Sequence, residues 1–293
     1  MFAKKKQDTR IVRVSTGFPR LDSMLQGGLP QKTITLLSGA CGTGKSTFAM
    51  QFLYQGARYS DEPGVYVTLE ESPQSLVNNM SLFGWDLDEL IEKKKMMVIK
   101  PEIYKFDSLK QIIADSIEKI GAKRLVVDSY SVLLTYFSDP NQIRHGLVQL
   151  DREIKKMGCT AIVISDIKDN AEIFSTTGIE EFIVDGVIVL SLIKDEKRPH
   201  MSRRAISVRK MRATKHPLGM YGFDIGDRGI SIGDGMGRGG GPGPVPGNGA
   251  GEHAAKKVKA KKNKIKAQPK DQSTMNLSAF RSKGHHSWKW KHL

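Results

Sequence analysis

Residues 39–46 read Gly-Ala-Cys-Gly-Thr-Gly-Lys-Ser, a complete G-x-x-x-x-G-K-[ST] phosphate-binding loop. Its flanks suit it. The apolar run Ile34–Leu37 reads as a buried strand, and the residues from Ser46 onward carry Phe48, Gln51 or Phe52, and Gln55 at helical spacing. A strand that turns into a helix over so few residues needs glycine, and the inward-turned N–H groups of such a loop form an anion cradle. The helix N-terminus adds about half a positive charge directed at the anion. The expected nucleotide-binding residues are Gly39, Ala40, Cys41, Gly42, Thr43, Gly44, Lys45, Ser46 and Thr47. Lys45 is expected on the β- and γ-phosphates, and the Ser46 hydroxyl on Mg2+.

Two further segments fit this loop. Leu125-Val-Val-Asp128 is an apolar strand ending in an acid, and the carboxyl end of a buried parallel strand is where phosphates lie in such folds. Asp128 is therefore expected to hold Mg2+ through water, opposite Ser46. Gly64–Glu71 is a strand ending in paired acids. Hydrolysis needs a carboxylate that orients water in line with the terminal phosphorus, and either Glu70 or Glu71 is suitably placed. The competing reading makes the pair a helix start, since Ser72-Pro73 follows.

Strand-like segments at 33–37, 65–69, 97–99, 125–127, 161–165 and 187–192 alternate with helical ones at 46–59, 74–83, 107–120 and 142–157. This alternation predicts an α/β fold with a mainly parallel central sheet covered by helices on both faces. Residues 203–232, punctuated by Gly219, Gly222, Gly226 and Gly229, predict an antiparallel extension. The two cysteines do not make a disulfide framework: Cys41 lies in the phosphate loop, where a small inert filler is expected, and Cys159 opens a strand. No apolar stretch follows the basic start Met1–Lys6, and the longest apolar run, Phe182–Ile193, is short for a bilayer and contains Asp185. A cytoplasmic protein is expected.

Charge divides the chain. The net charge of +15 is mostly carried by residues 235–293, which hold 13 Lys and Arg against 2 Asp and Glu. The expected organisation is an arm at 1–10, a catalytic domain at 11–234, a Gly/Pro-rich linker at 235–252 and a disordered Lys-rich tail at 253–293. Phe280, Trp288 and Trp290 interleave with the tail's lysines, which suits nucleic acid or an anionic membrane surface.

Several islands within residues 11–234 together resemble the KaiC-type branch of the RecA-like ATPases. They are Ser15–Asp22, Gly27–Pro30, the phosphate loop, Gln51–Ala57, Val67–Gln74, Phe83–Leu87, Gly178–Phe182 and Lys210–His216. The resemblance implies a RecA-like P-loop NTPase core, ATP and Mg2+ as ligands, and a homo-oligomeric ring, usually a hexamer, with ATP between neighbours. It implies that Glu70 is the water-activating acid with Glu71 beside it. It also implies that Lys210, Arg212 and His216 reach a neighbour's nucleotide, with Arg204 a further basic residue near the phosphate; the bare residues alone suit a charged sheet edge. Where the clock protein's second half has a phosphorylated Ser-Thr pair, this chain has Glu181-Phe182, so autophosphorylation there is not expected. Ser175, Thr176 and Thr177 lie off that register and read as a polar loop, and Ile164–Ile167 departs from the family's polar run.

The expected function is a single-domain, archaeal-type, slowly hydrolysing ATPase that acts as a regulatory or signalling switch. The alternatives are a FlaH-type assembly ATPase of a membrane motor and a RecA/RadA-like DNA-dependent ATPase. Removal of residues 235–293 should leave basal turnover and melting temperature nearly unchanged. It should abolish salt-sensitive binding to RNA, DNA or anionic vesicles, because counterion release by the tail drives such binding. Retention of that binding by the truncated protein in a low-salt titration would refute the tether.

Overall fold

A computed structural model describes residues 11–102, 106–168, 173–195 and 198–235. The arm, the linker beyond Gly235 and the Lys-rich tail lie outside the described residues. In chain order the elements are β1 (Arg13–Val14), α1 (Pro19–Met24), β2 (Leu29–Pro30), β3 (Ile34–Gly39), α2 (Lys45–Tyr59), β4 (Gly64–Thr68), α3 (Pro73–Ser81), α4 (Leu87–Glu92) and β5 (Met96–Ile99). There follow α5 (Phe106–Ile120), β6 (Arg124–Asp128), α6 (Tyr130–Leu133), α7 (Pro140–Lys156), β7 (Thr160–Asp166), α8 (Glu180–Ile183), β8 (Gly186–Asp195), β9 (Arg198–Met211), β10 (Met220–Gly226) and β11 (Gly229–Gly235).

Apolar runs without alternation, such as Ile34–Leu37 and Leu125–Val127, suit strands buried on both faces, and in the sheet they are so buried. Nine strands run in the order β11-β10-β9-β8-β3-β7-β6-β4-β5. The strands from β8 to β5 are parallel, and β9, β10 and β11 add on antiparallel at the β8 edge. The expected architecture and its antiparallel extension are therefore both present.

The period of two along each strand divides the core. Leu37, Tyr66, Val126 and Ile162 pack with α2, while Leu36, Val67, Val127 and Val163 pack with α5 and α7. Helix starts follow local chemistry. Ser72 accepts the Ser75 N–H ahead of Pro73, and Asp139 accepts from Asn141 and Gln142 ahead of Pro140. The short α4 was not anticipated; Asp86 caps it at the Glu89 N–H, and it buries Leu87 and Leu90. Among the described residues no helix is long and apolar enough to cross a membrane.

Topology brings the candidate groups together. β3 sits between β7 and β8, and β7 is followed by β6 and β4. Gly39 is in register with Asp166, and Thr68 with Asp128. The phosphate loop, Asp128, Asp166 and the Glu70-Glu71 pair thus share the carboxyl edge of the sheet, the position where open α/β sheets bind ligands.

Candidate nucleotide site

The loop between β3 and α2 takes its shape from two glycines. Gly44 caps α2 in the left-handed conformation at φ 99°, and an added Cβ would sit 2.7 Å from Ile225 Cδ1. Gly39 has no room either: its Cβ would lie 2.5 Å from Thr43 Oγ1 and 2.8 Å from the Leu190 carbonyl. No side chain caps α2, and no acid occupies its first turn. Its leading N–H groups therefore remain available for an anion. The buried Thr43 hydroxyl braces the loop on the Ala40 carbonyl at 2.8 Å, while Ser46 and Thr47 lie half-buried in the first turn of α2. Cys41 is exposed on the loop, whereas Cys159 is buried and its thiol is pushed up to about 11 by desolvation.

Opposite the loop, Asp128 accepts the Ser46 hydroxyl at 2.9 Å and the Tyr66 hydroxyl at 2.6 Å, both on the same carboxylate oxygen. Burial pushes the Asp128 carboxyl above its ordinary 3.8, and the bonds from Tyr66 and Ser46 pull it part of the way back. Tyr66 is itself raised well above its usual range, by burial first and by Asp128 second, so it remains a neutral donor. A desolvated carboxylate beside a hydroxyl at an anion cradle is a donor set that fits Mg2+, a hard cation that favours oxygen ligands. Tyr66 was missed from sequence; it is the one side chain with a polar tip in the run Val65–Val67.

A clamp behind the site fixes the two elements that carry this pair. Arg124 opens β6, which ends at Asp128. Its buried guanidinium donates to the Phe52 carbonyl of α2 at 2.7 Å and to Glu62 at 2.7 Å, and it lies over the Phe52 ring. Gly56 leaves the space, since a Cβ there would lie 2.2 Å from Arg124 Nε. With the start of β6 tied to the middle of α2, Ser46 and Asp128 face each other at the near ends.

The paired acids separate. Glu71 turns onto α3, where its carboxylate accepts from Ser75 Oγ at 2.6 Å and Asn79 Nδ2 at 2.9 Å. Glu70 is exposed at the tip of β4, with Ser129 Oγ 3.4 Å from its carboxylate and Lys100 on its carbonyl.

The basic residues also separate. Arg204 of β9 lies against the Gly42 carbonyl of its own phosphate loop, at 3.3 Å from Nη2. Its guanidinium thus stands at the loop of its own chain. Lys210 donates to the Glu181 and Val184 carbonyls, and burial lowers its pKa, with the nearby Arg212 adding to the effect. Arg212 pairs with Asp185 at 3.0 Å, and half-buried His216 follows in the β9–β10 connection. Glu181 accepts from Ser175, and Phe182 is 68% exposed.

Asp128→Asn tests the strain of the buried carboxylate. The amide oxygen can keep both hydroxyl donors while the desolvated charge is removed. An Asp raised in the folded state binds more protons folded than unfolded, so its charge opposes folding above the raised value. That opposition fades as pH falls through the raised value and is gone below the ordinary 3.8. The ligand-free Asn variant should therefore melt higher than wild type at pH 7, and the two should converge in acid. A lower melting temperature at pH 7 by calorimetry would show that the carboxylate is not strained.

A family model described as "ATPase: KaiC" matches residues 14–236. UPF0273 protein MJ1359 of Methanocaldococcus jannaschii is 38% identical over 237 residues, covering 75% of this chain and 96% of that protein. The circadian clock oscillator protein KaiC of Prochlorococcus marinus is 35% identical over 234 residues, covering 76% of this chain and 46% of that one. The chain thus spans about half the length of the clock proteins it matches. Among solved structures, the KaiC-like protein PH0186 from Pyrococcus horikoshii OT3 superposes with a TM-score of 0.70 at 38% identity, covering 76% of this chain and 99% of that one. Together with the RecA-like α/β core and the phosphate loop at its carboxyl edge, these matches show that the chain belongs to the KaiC family of ATPases.

Proposed function

We propose that this chain binds ATP with Mg2+ and hydrolyses it slowly, as a ring-forming regulatory or signalling switch. The observation that carries this reading is the uncapped start of α2, with Lys45 inside the loop and the Ser46–Asp128 pair beside it. Lys45 binds the β- and γ-phosphates, residues 39–47 cradle the polyphosphate, and Ser46 and Asp128 hold the cation. Mg2+ held there would neutralise charge on the phosphates. Arg204 supports the phosphates of its own subunit, given its place against Gly42.

Glu70 is the acid that orients the attacking water and takes up its proton. Its exposed carboxylate at the strand tip supports this role, while Glu71 is engaged by two donors of α3. The second acid is thus a helix-start residue. Clock-type autophosphorylation at Glu181-Phe182 is not part of the reading, since neither side chain carries a hydroxyl. Glu70→Gln should keep ATP affinity but lower kcat by about 10²–10⁴-fold, the scale of a general base. Glu71→Gln should retain turnover and lose some stability in α3. Single-turnover assays beside equilibrium titration separate binding from chemistry, and a Glu70→Gln enzyme with near-wild-type kcat would overturn the assignment.

The ring, of six subunits by family analogy, joins through Lys210, Arg212 and His216 acting on a neighbour's ATP. Half-exposed Arg212 and exposed Phe182 beside Glu181 suit a surface that a second copy covers. A ligand held between subunits drives assembly by mass action. Sedimentation should show ATP-dependent rings that weaken in Arg212→Ala, and a monomer at saturating ATP would exclude this arrangement.

A further inference from the structure

The Lys45 ammonium sits within one set of partners. It donates to the Gly39 carbonyl at 2.9 Å and the Ala40 carbonyl at 3.0 Å, and it pairs with the Asp166 carboxylate at 3.0 Å. The two ends of the ion pair differ. The Lys45 side chain is only 10% exposed, whereas that of Asp166 is 50% exposed. The backbone of Asp166 is firmly held. It ends β7 in register with Gly39, its N–H donates to Ser131 Oγ at 2.9 Å, and its carbonyl accepts Thr176 Oγ1 at 3.0 Å. The next residue, Ile167, donates to the Gly39 carbonyl at 3.3 Å. A fixed main chain thus presents a carboxylate that is free to swing toward solvent.

A carboxylate and a phosphate are interchangeable partners for an ammonium. We infer that Asp166 is an internal stand-in for phosphate at Lys45, and that the exchange of one anion for the other sets how tightly the loop holds nucleotide. This inference rests on the reading of Lys45 as a phosphate ligand. Two physical effects act in the same direction. Nucleotide gains less from Lys45 because a charge-assisted pair must first be broken. Once displaced, Asp166 stands as a like charge beside the polyphosphate. Both effects weaken binding and speed release, which suits a switch that must let its product go. Asp166 is then an affinity-setting residue with no role in the chemical step.

The test is equilibrium and stopped-flow titration of the full chain with a ribose-labelled fluorescent ATP and the matching ADP. Asp166→Asn should tighten Kd by about tenfold, the scale of one charge-assisted contact, chiefly through slower release. Asp166→Glu, which keeps the carboxylate, should stay close to wild type. Asp166→Ala should move in the same direction as Asn. The gain should shrink when Lys45→Ala is also present, because no ion pair then remains to exchange. Melting temperatures of all variants verify that each is folded. Wild-type-like or weaker binding in both Asn and Ala variants would overturn the inference while leaving the nucleotide site intact. Failure of the wild type to bind either probe would instead remove the parent reading.

Discussion

The junction where β3 becomes α2 is the constraint on which the rest of the site depends. β3 is buried along its whole length, so the chain cannot slide there. Gly39 is pressed against Leu190 and Thr43, and Gly44 must turn left-handed beneath Ile225 before the helix begins. The helix consequently starts without a side-chain cap. The starts of α3, α4 and α7 are closed by Ser72, Asp86 and Asp139, which accept the leading N–H groups, whereas the short α1, α6 and α8 also begin without a side-chain cap. At α2 no side chain caps the same groups, which leaves them for a ligand.

Charges around that junction are arranged in opposition. Asp128 is buried at an energetic disadvantage relieved only partly by Tyr66 and Ser46, while Lys45 is held by a carboxylate that solvent can reach. The first arrangement is not what stability alone would select, because a desolvated carboxylate favours the unfolded chain. The Arg124 clamp offsets this. It fixes α2 against β6 by a buried, hydrogen-bonded guanidinium at the start of β6, so that strain at the other end of the strand does not move the two elements apart. Removing a single partner from such a pair costs about 3–5 kcal/mol when the remaining charge is fully buried. Loss of Glu62 would leave a guanidinium that is 1% exposed, whereas loss of Arg124 would leave a carboxylate that is 26% exposed and partly solvated.

The far side of the molecule carries a second charged centre of different character. Asp185, at the start of β8, accepts the Ile34 N–H at the foot of β3 and pairs with Lys155 and Arg212. Its carboxyl is held low by Lys155 and by the Ile34 N–H, against the upward push of burial. The strand that ends in the phosphate loop is therefore anchored at its other end by the same acid that holds Arg212. Nucleotide site and basic edge share one strand as their common support.

Much of this was legible in the sequence, and the division has a physical basis. Covalent spacing determines local geometry, so the phosphate loop, the strand–helix alternation and the acid ending β6 could be read directly. The antiparallel extension was also legible, because its glycines punctuate short extended runs. What sequence left open were choices between equivalent residues. Glu70 and Glu71 are chemically alike and adjacent; only the packing of α3, which brings Ser75 and Asn79 to Glu71, separates them. Asp166 ends an apolar strand just as Asp128 does, and the signal used for one would have found the other. Its tie to Lys45 depends on β7 lying beside β3, a pairing between residues more than a hundred positions apart. Tyr66, Arg124 and the placement of Arg204 at its own loop share that cause. The sequence by itself determined the main alternation of strands and helices and the loop suited to an anion. The tertiary structure decided which acids and cations meet there, since long-range strand order carries no local mark along the chain.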